Sequence, residues 1–355
     1  MSTAERDQAR DLARQVGVDF GATLAVALAY IGDRLGIFRS LADGSAATSE
    51  ELAARTGLNE RYLREWASTM AAAGYIDYDS ANQNFAINPA QRTVLLDEKS
   101  PFHMTGAFQY AITCIRQLSP LTEAFRHGGG VAFADFGPEI AEAIRRMFQA
   151  GYETWVASRW IPALPEVQQC LIAGGVAAEV GCGSGQCLIP VAKAFPNSRF
   201  TGYDVDPGSI ALARERAIRE GLAERVSFEQ VPAENIPHAD RFDLVMAFNC
   251  IHDMANPRGA LRAIRSALKP TGVMMWSEAK ASDRLEENLS TWGRSLYAAS
   301  TMHCMTVSLA HNGEGLGSVI GEGLARKLAS EAGFSSFAIL PVDNPFHQIF
   351  VLRRN

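Results

Sequence analysis

The chain has 355 residues, 47% apolar and 20% charged, with a formal net charge of −6; that balance supports packed cores and offers no cation excess to a nucleic-acid backbone. Its length exceeds the roughly 100 to 200 residues of a comfortable single domain, so two domains are expected. The six cysteines, at 114, 170, 182, 187, 250 and 304, form no CxxC pair, which predicts reduced thiols and neither a zinc site nor a disulfide framework.

Met1 to Gln15 alternates acids with arginines and lacks the order of a signal peptide. The longest nearly uncharged apolar run, Phe20 to Ile31, is shorter than the roughly 18 to 20 residues that cross a bilayer. A cytoplasmic protein without a membrane span is the expectation. From about Gly36 to Leu96 the pattern is a short helical bundle closed by a hairpin. Thr48 is placed to cap a helix with Glu50 and Glu51 in its first turn, and Gly57 to stop it. Asn59 caps the next, in which Tyr62, Leu63, Trp66, Met70 and Ala73 recur at three- and four-residue spacings before Gly74. Tyr75 to Tyr78 and Asn84 to Ile87 flank Asp79, Ser80 and Asn82 as the arms of a hairpin do. This is winged-helix spacing. In the second helix Arg61 and Arg64 are matched by Glu60 and Glu65, so DNA binding, which draws on surplus Lys and Arg, is not expected. Long apolar helices at Asp11 to Arg34, Met104 to Phe125 and Glu139 to Ile161 exceed what one small domain buries, and predict a homodimer.

Pro162 and Pro165 break the last of these helices and mark a boundary, giving domains 1–165 and 166–355. Beyond it, Val176 to Val180, Arg199 to Tyr203, Val226 to Gln230, Asp243 to Phe248 and Val273 to Glu278 read as strands. Helical stretches such as Pro207 to Glu220 and Pro257 to Leu268 separate them, and that alternation predicts a doubly wound parallel sheet. Ser336 to Pro341 and His347 to Leu352 are joined too tightly for a parallel crossover, so the last strand should be reversed.

The first of these strands runs into Glu179-Val-Gly181-Cys182-Gly183-Ser184-Gly185, and a helix is expected from near Gln186. Alternate glycines permit a sharp turn at the sheet edge where open α/β folds bind ligands. The spacing is GxGxG, not the GxGxxG of dinucleotide enzymes. Glu179, two residues before the first glycine, suits a methionyl ammonium. Asp204, ending the second strand, is placed for a ribose, because Asp206 before Pro207 takes the helix-capping role. After the third strand, Ala233 and Glu234 are candidates for reading an adenine edge.

As a set, over Val176 to Asn355, these features resemble the class I S-adenosylmethionine-dependent methyltransferases: E-x-G-x-G-x-G, strand, Asp, strand, Ala-Glu, then Phe242-Asp243-Leu244-Val245. The resemblance implies an α/β, Rossmann-like, seven-stranded sheet with its last strand reversed, behind a mainly helical winged-helix domain. S-adenosyl-L-methionine would be the methyl donor and S-adenosyl-L-homocysteine the product. The candidate cofactor-binding residues are Glu179, Gly181, Cys182, Gly183, Gly185, Asp204, Val205, Ala233, Glu234, Phe248 and Asn249. The family often carries an acid where Pro232 stands, and Glu234 is the candidate to replace it.

The fourth strand ends in Phe248-Asn249-Cys250-Ile251-His252-Asp253. Winged-helix small-molecule O-methyltransferases are similar here, with a catalytic histidine before an aspartate; His252 is the matching residue. It would deprotonate a hydroxyl with Asp253 orienting it. Tyr297 to Met305 resembles the acceptor region of bacterial two-domain methyltransferases of this kind. Tyr297, Ser300 and His303 fall at spacings that one helical face gathers, which makes Tyr297 and His303 candidate substrate contacts. The acceptor expected is a small apolar or aromatic hydroxylated molecule. Two other classes fit parts of the pattern: a noncatalytic winged-helix regulator binding S-adenosylmethionine or DNA, and a nucleotide-dependent oxidoreductase, which the glycine spacing disfavours.

Overall fold

The helices Thr3–Arg34, Ser49–Thr56, Glu60–Ala72 and Pro89–Leu95 of the N-terminal unit start where a side chain satisfies their first amides. Thr48 Oγ1 accepts from Glu51 N–H while Glu51 reaches back to Thr48 N–H, a reciprocal cap for Ser49–Thr56. Gly57 ends that helix in the left-handed region, at φ +71°. Asn59 Oδ1 caps Glu60–Ala72, whose inner face buries Leu63, Trp66, Ala67 and Met70. A short antiparallel hairpin follows, β1 (Asp77–Asp79) and β2 (Asn84–Ala86). In the second helix of the winged-helix pattern, Arg61 pairs with Glu65 at 2.6 Å and Arg64 with Glu60 at 2.8 Å.

The computed structural model describes residues 1–237 and 239–354, and these divide into two compact units, Met1–Thr113 and Cys114–Asn355. The first helix runs unbroken over Thr3–Arg34. By length and composition alone it is long and apolar enough to cross a membrane, which corrects the expectation drawn from the shorter run Phe20 to Ile31. Its buried residues are Ala25, Ala29 and Gly32, and Trp66 Nε1 donates to Leu28 O at 2.9 Å, so its C-terminal part is integral to the winged-helix core. Before that, Leu12, Val16, Phe20 and Leu24 repeat every four residues and are each at least half exposed.

The second unit is built on seven strands: β3 (Val176–Val180), β4 (Arg199–Asp204), β5 (Val226–Gln230), β6 (Phe242–Phe248), β7 (Leu268–Ala279), β8 (Ser336–Ile339) and β9 (His347–Arg353). Their order is β5-β4-β3-β6-β7-β9-β8. The pairs from β5 to β7 are parallel, and β9 runs antiparallel to both β7 and β8. The reversed last strand is therefore present, inserted beside β7. Alternate residues of β6 feed opposite faces: Leu244, Met246 and Phe248 enter one core, Val245 and Ala247 the other. Asp243, in the same strand, ties the sheet at its base, accepting Val176 N–H at 2.9 Å and Lys269 Nζ at 2.8 Å.

Compactness divides the chain at 113/114, well before the boundary expected at 165/166. Pro162 and Pro165 do interrupt the helical path, but Pro138–Trp155 and its π-helical continuation Val156–Trp160 bury Tyr152, Trp155, Val156 and Trp160 in the sheet's own core. A proline ends a helix without ending the domain that its side chains belong to.

Candidate active site

Chain order reverses between β3 and β6, the crevice where open α/β sheets take ligands at the carboxyl ends of their strands. The turn after β3 flanks one side. Gly181, Gly183 and Gly185 all lie at positive φ, +67°, +50° and +75°, which only glycine adopts at little cost. At Gly181 the need is also steric, since a Cβ would stand 2.5 Å from Cys250 Cβ. The Gly181 and Cys182 amides donate to Tyr203 O at 2.8 and 3.1 Å, tying the turn to β4. Cys182 itself is fully buried, so it faces the core. The helix expected from Gln186 begins two residues later, at Leu188.

Two carboxylates bracket this turn. Glu179 is 2% exposed; burial drives its pKa well above the ordinary carboxylate range, against the Leu188 amide and Cys187 thiol that contact it. Its Oε2 has no hydrogen-bond partner among the described residues, a costly state that a cationic donor would relieve. Asp204 ends β4. It accepts Gly183 N–H at 2.8 Å through Oδ2 and Asp206 N–H at 2.9 Å through Oδ1. Each oxygen keeps a further acceptor direction. Asp206 caps the next helix, accepting Ser209 N–H at 2.7 Å, as expected. Val205 is exposed, its carbonyl held by Gln230 Nε2. Ala233 is buried and Glu234 exposed on a single 3-10 turn after β5. An orphaned buried carboxylate oxygen at one end and a strand-terminal aspartate at the other fit the ammonium and ribose of S-adenosylmethionine.

On the other side of the crevice, Asn249 follows β6 in a left-handed conformation, φ +51°. Its side-chain amide points inward, donating to Tyr152 Oη at 2.8 Å and lying 3.0 Å from His347 Nε2. Burial lowers His347 to about 4 and lifts Tyr152 well above 10, so both rings are neutral. Phe248, 5% exposed, packs its ring 5.7 Å from Tyr152 and 5.5 Å from Trp160. Asn249 therefore supports an aromatic wall to which Tyr152, a residue without a sequence signal, belongs.

His252 is 4% exposed and its Nδ1 lies 2.5 Å from Glu278 Oε2. Glu278 Oε1 accepts Trp276 Nε1–H at 2.7 Å, so both carboxylate oxygens are fixed. Burial disfavours the charged imidazole, but Glu278 and the nearby Cys304 outweigh it and raise His252 well above 6.5. Asp253, expected to orient the ring, is instead a half-buried neighbour whose own pKa desolvation raises to about 7. The orienting acid comes from the adjacent strand, because consecutive residues on a tight turn diverge while strand ends converge. Glu278 went unnoticed in the sequence; its signal was an acid closing the otherwise apolar run Met274 to Trp276.

Tyr297 and His303 part company. A π-helical turn, Ser300–Cys304, interrupts the helix between Thr291–Ala299 and Met305–Ala310, and its wider pitch breaks the three- and four-residue register. Tyr297 is 37% exposed with its hydroxyl accepting from Asn288. His303 is buried, and burial together with the His252 charge lowers it to about 3. Among the described residues no group of His, Cys, Asp and Glu is arranged to hold a metal ion.

Residues 173–333 match a methyltransferase domain model, and residues 22–97 match an Rv2258c-like winged HTH domain model. The ubiquinone biosynthesis O-methyltransferase of Cereibacter sphaeroides (strain ATCC 17025 / ATH 2.4.3) is 33% identical over 100 residues, which are 28% of this chain and 39% of that relative. The chain spans less than half the length of this curated relative. Over nearly the whole chain the fold is similar to the mitomycin 7-O-methyltransferase MmcR (TM-score 0.72, 20% identity, 99% of this chain and 100% of the other). It is also similar to human N-acetylserotonin methyltransferase solved with SAM (TM-score 0.70, 18% identity, 99% of each chain).

Proposed function

We propose that this chain, an S-adenosylmethionine-dependent methyltransferase by its two domains, methylates the oxygen of a small, apolar or aromatic hydroxylated molecule. The observation that carries the acceptor chemistry is the Glu278–His252 pair at the ends of β7 and β6, beside the glycine turn. S-adenosylmethionine, when bound, would supply an electrophilic methyl group on a sulfonium and would leave as the neutral thioether S-adenosylhomocysteine. His252 takes the hydroxyl proton on Nε2, because Nδ1 faces Glu278, and Glu278 balances the imidazolium that results. Glu179 and Asp204 hold the methionyl and ribose ends, while the neutral Tyr152 and Phe248 keep water from the reacting atoms. The remaining cofactor contacts are proposed at Gly181, Cys182, Gly183, Gly185, Val205, Ala233, Glu234 and Asn249, mainly through backbone. His303 and Tyr297 are proposed for the acceptor side.

The test is a screen of phenols, polyketide-like and fatty-acid-like molecules with labelled methyl donor. Label on a hydroxyl oxygen of any class supports the reading, and label only on nitrogen or carbon acceptors overturns oxygen transfer.

We further place the protein in the cytoplasm as a homodimer whose first 165 residues shape the acceptor site and the subunit interface. The exposed row Leu12, Val16, Phe20 and Leu24 supports that interface. Light scattering at micromolar concentration is expected to give twice the chain mass, and Val16→Glu with Phe20→Glu to give one; a monomeric parent protein, or sedimentation with lipid vesicles instead, refutes the dimer. A DNA-binding regulator is disfavoured by the pairing of Arg61 and Arg64 with glutamates.

A further inference from the structure

Residues 128–137 link the helices Leu118–His127 and Pro138–Trp155 and bring two phenylalanines to His303. The Phe136 ring centroid lies 5.0 Å from that of His303 at an interplanar angle of 75°, and Phe133 lies at 5.9 Å and 65°. This strap is pinned at one point to the helix that follows His303: Val131 N–H donates to the buried Thr306 Oγ1 at 2.9 Å. Gly130, just before the pin, passes so close that a Cβ would stand 1.9 Å from Thr306 O and 2.6 Å from Ala310 N. Both atoms are helix backbone, so no rotamer change clears the overlap and the strap itself must move. From His303 the contacts continue inward. Cys304 Sγ lies 3.7 Å from His303 Nδ1, and the helix that holds the pin is tied to the turn carrying His252, Ser308 Oγ donating to Met254 O at 2.8 Å.

We propose that this pinned strap is the acceptor-selecting wall of the site, with Phe133 and Phe136 as specificity determinants and Gly130 as the residue that fixes their position. The proposal rests on His252 marking the reacting end of the acceptor pocket. Phe136, His303 and Cys304 then form a line leading away from the base, and the acceptor's body lies along it. Two phenyl rings and an uncharged imidazole favour a flat ring, which gains edge and face contacts that a puckered ring of similar size does not.

The test uses the full-length protein. Gly130→Ala should lift the strap and uncover Cys304, which is 8% exposed. N-ethylmaleimide labelling, mapped to Cys304 by peptide mass spectrometry, is expected to quicken about tenfold or more as local protection is lost. S-adenosylhomocysteine affinity, read by calorimetry, should stay within about twofold because the strap is held at Thr306 and His303, not at the residues assigned to the donor. Thr306→Val, which keeps shape but removes the pin, should quicken labelling by a smaller factor and covers the case in which Gly130→Ala fails to fold.

Selection is read by binding. Phenol and cyclohexanol compete in saturation-transfer NMR on the S-adenosylhomocysteine complex; the parent protein should prefer phenol, and Phe136→Leu should narrow that preference about tenfold. Labelling at the parent rate in both folded pin variants, or an unchanged preference in Phe136→Leu, overturns the proposal. If S-adenosylhomocysteine does not bind at all, the donor reading fails, and the labelling rates still decide the strap.

Discussion

His252→Ala is expected to lower methyl transfer to a hydroxyl acceptor by about 10² to 10⁴-fold, the usual contribution of a positioned general base, and to leave S-adenosylhomocysteine affinity unchanged. The pH dependence makes the assignment sharper. A base must be neutral to accept a proton, and Glu278 holds His252 well above 6.5. The rate should therefore fall with decreasing pH through an apparent pKa above that of an ordinary histidine. Glu278→Gln removes the charge that favours the imidazolium, so the acid limb should move to lower pH while the plateau drops by about tenfold or more from lost orientation. Glu278 touches no reacting atom and acts through His252, so a shift of the limb is what separates positioning from mere structural support. A plateau that survives His252→Ala refutes the base. An acid limb unmoved by Glu278→Gln refutes its coupling to Glu278.

Local signals carried most of the fold. Thr48, Asn59 and Asp206 cap helices because short polar side chains reach their own first-turn amides, and that chemistry depends on neighbours in sequence. The strand runs Val176 to Val180 and Val226 to Gln230 coincide with the observed strands, and the short link before His347 sufficed to reverse β9. Local geometry was legible in the same way: the glycine turn lies at 181–185 and Asp204 ends β4. Geometry was illegible where contacts join distant residues. Glu278 reaches His252 across 26 positions and Tyr152 reaches Asn249 across 97; no spacing rule spans a strand crossover. The π-helical turn at Ser300–Cys304 defeated the grouping of Tyr297 with His303 because a register change within a helix leaves no compositional mark. Pro162 likewise reports only where a helix stops, while membership of a core is set by what Trp155 and Trp160 pack against.

Asp204→Ala should weaken S-adenosylhomocysteine binding by about 3 kcal/mol, roughly a hundredfold, from the loss of two hydrogen bonds to a charged acceptor at about 1.5 kcal/mol each. Asp204 already accepts the Gly183 and Asp206 amides, so its removal loosens the turn as well as deleting a ribose partner. Adenosine alone tells these apart from the methionyl end. If Asp204 grips the ribose, adenosine affinity falls with that of S-adenosylhomocysteine. Glu179→Gln, at the opposite end of the turn, should instead weaken S-adenosylhomocysteine and spare adenosine, because only the former carries the ammonium that the orphaned Oε2 would receive. Unchanged calorimetric affinity for both ligands in Asp204→Ala removes it from the donor site. Equal losses for adenosine in both variants point to general collapse of the glycine turn, and with it the division of labour between the two carboxylates falls.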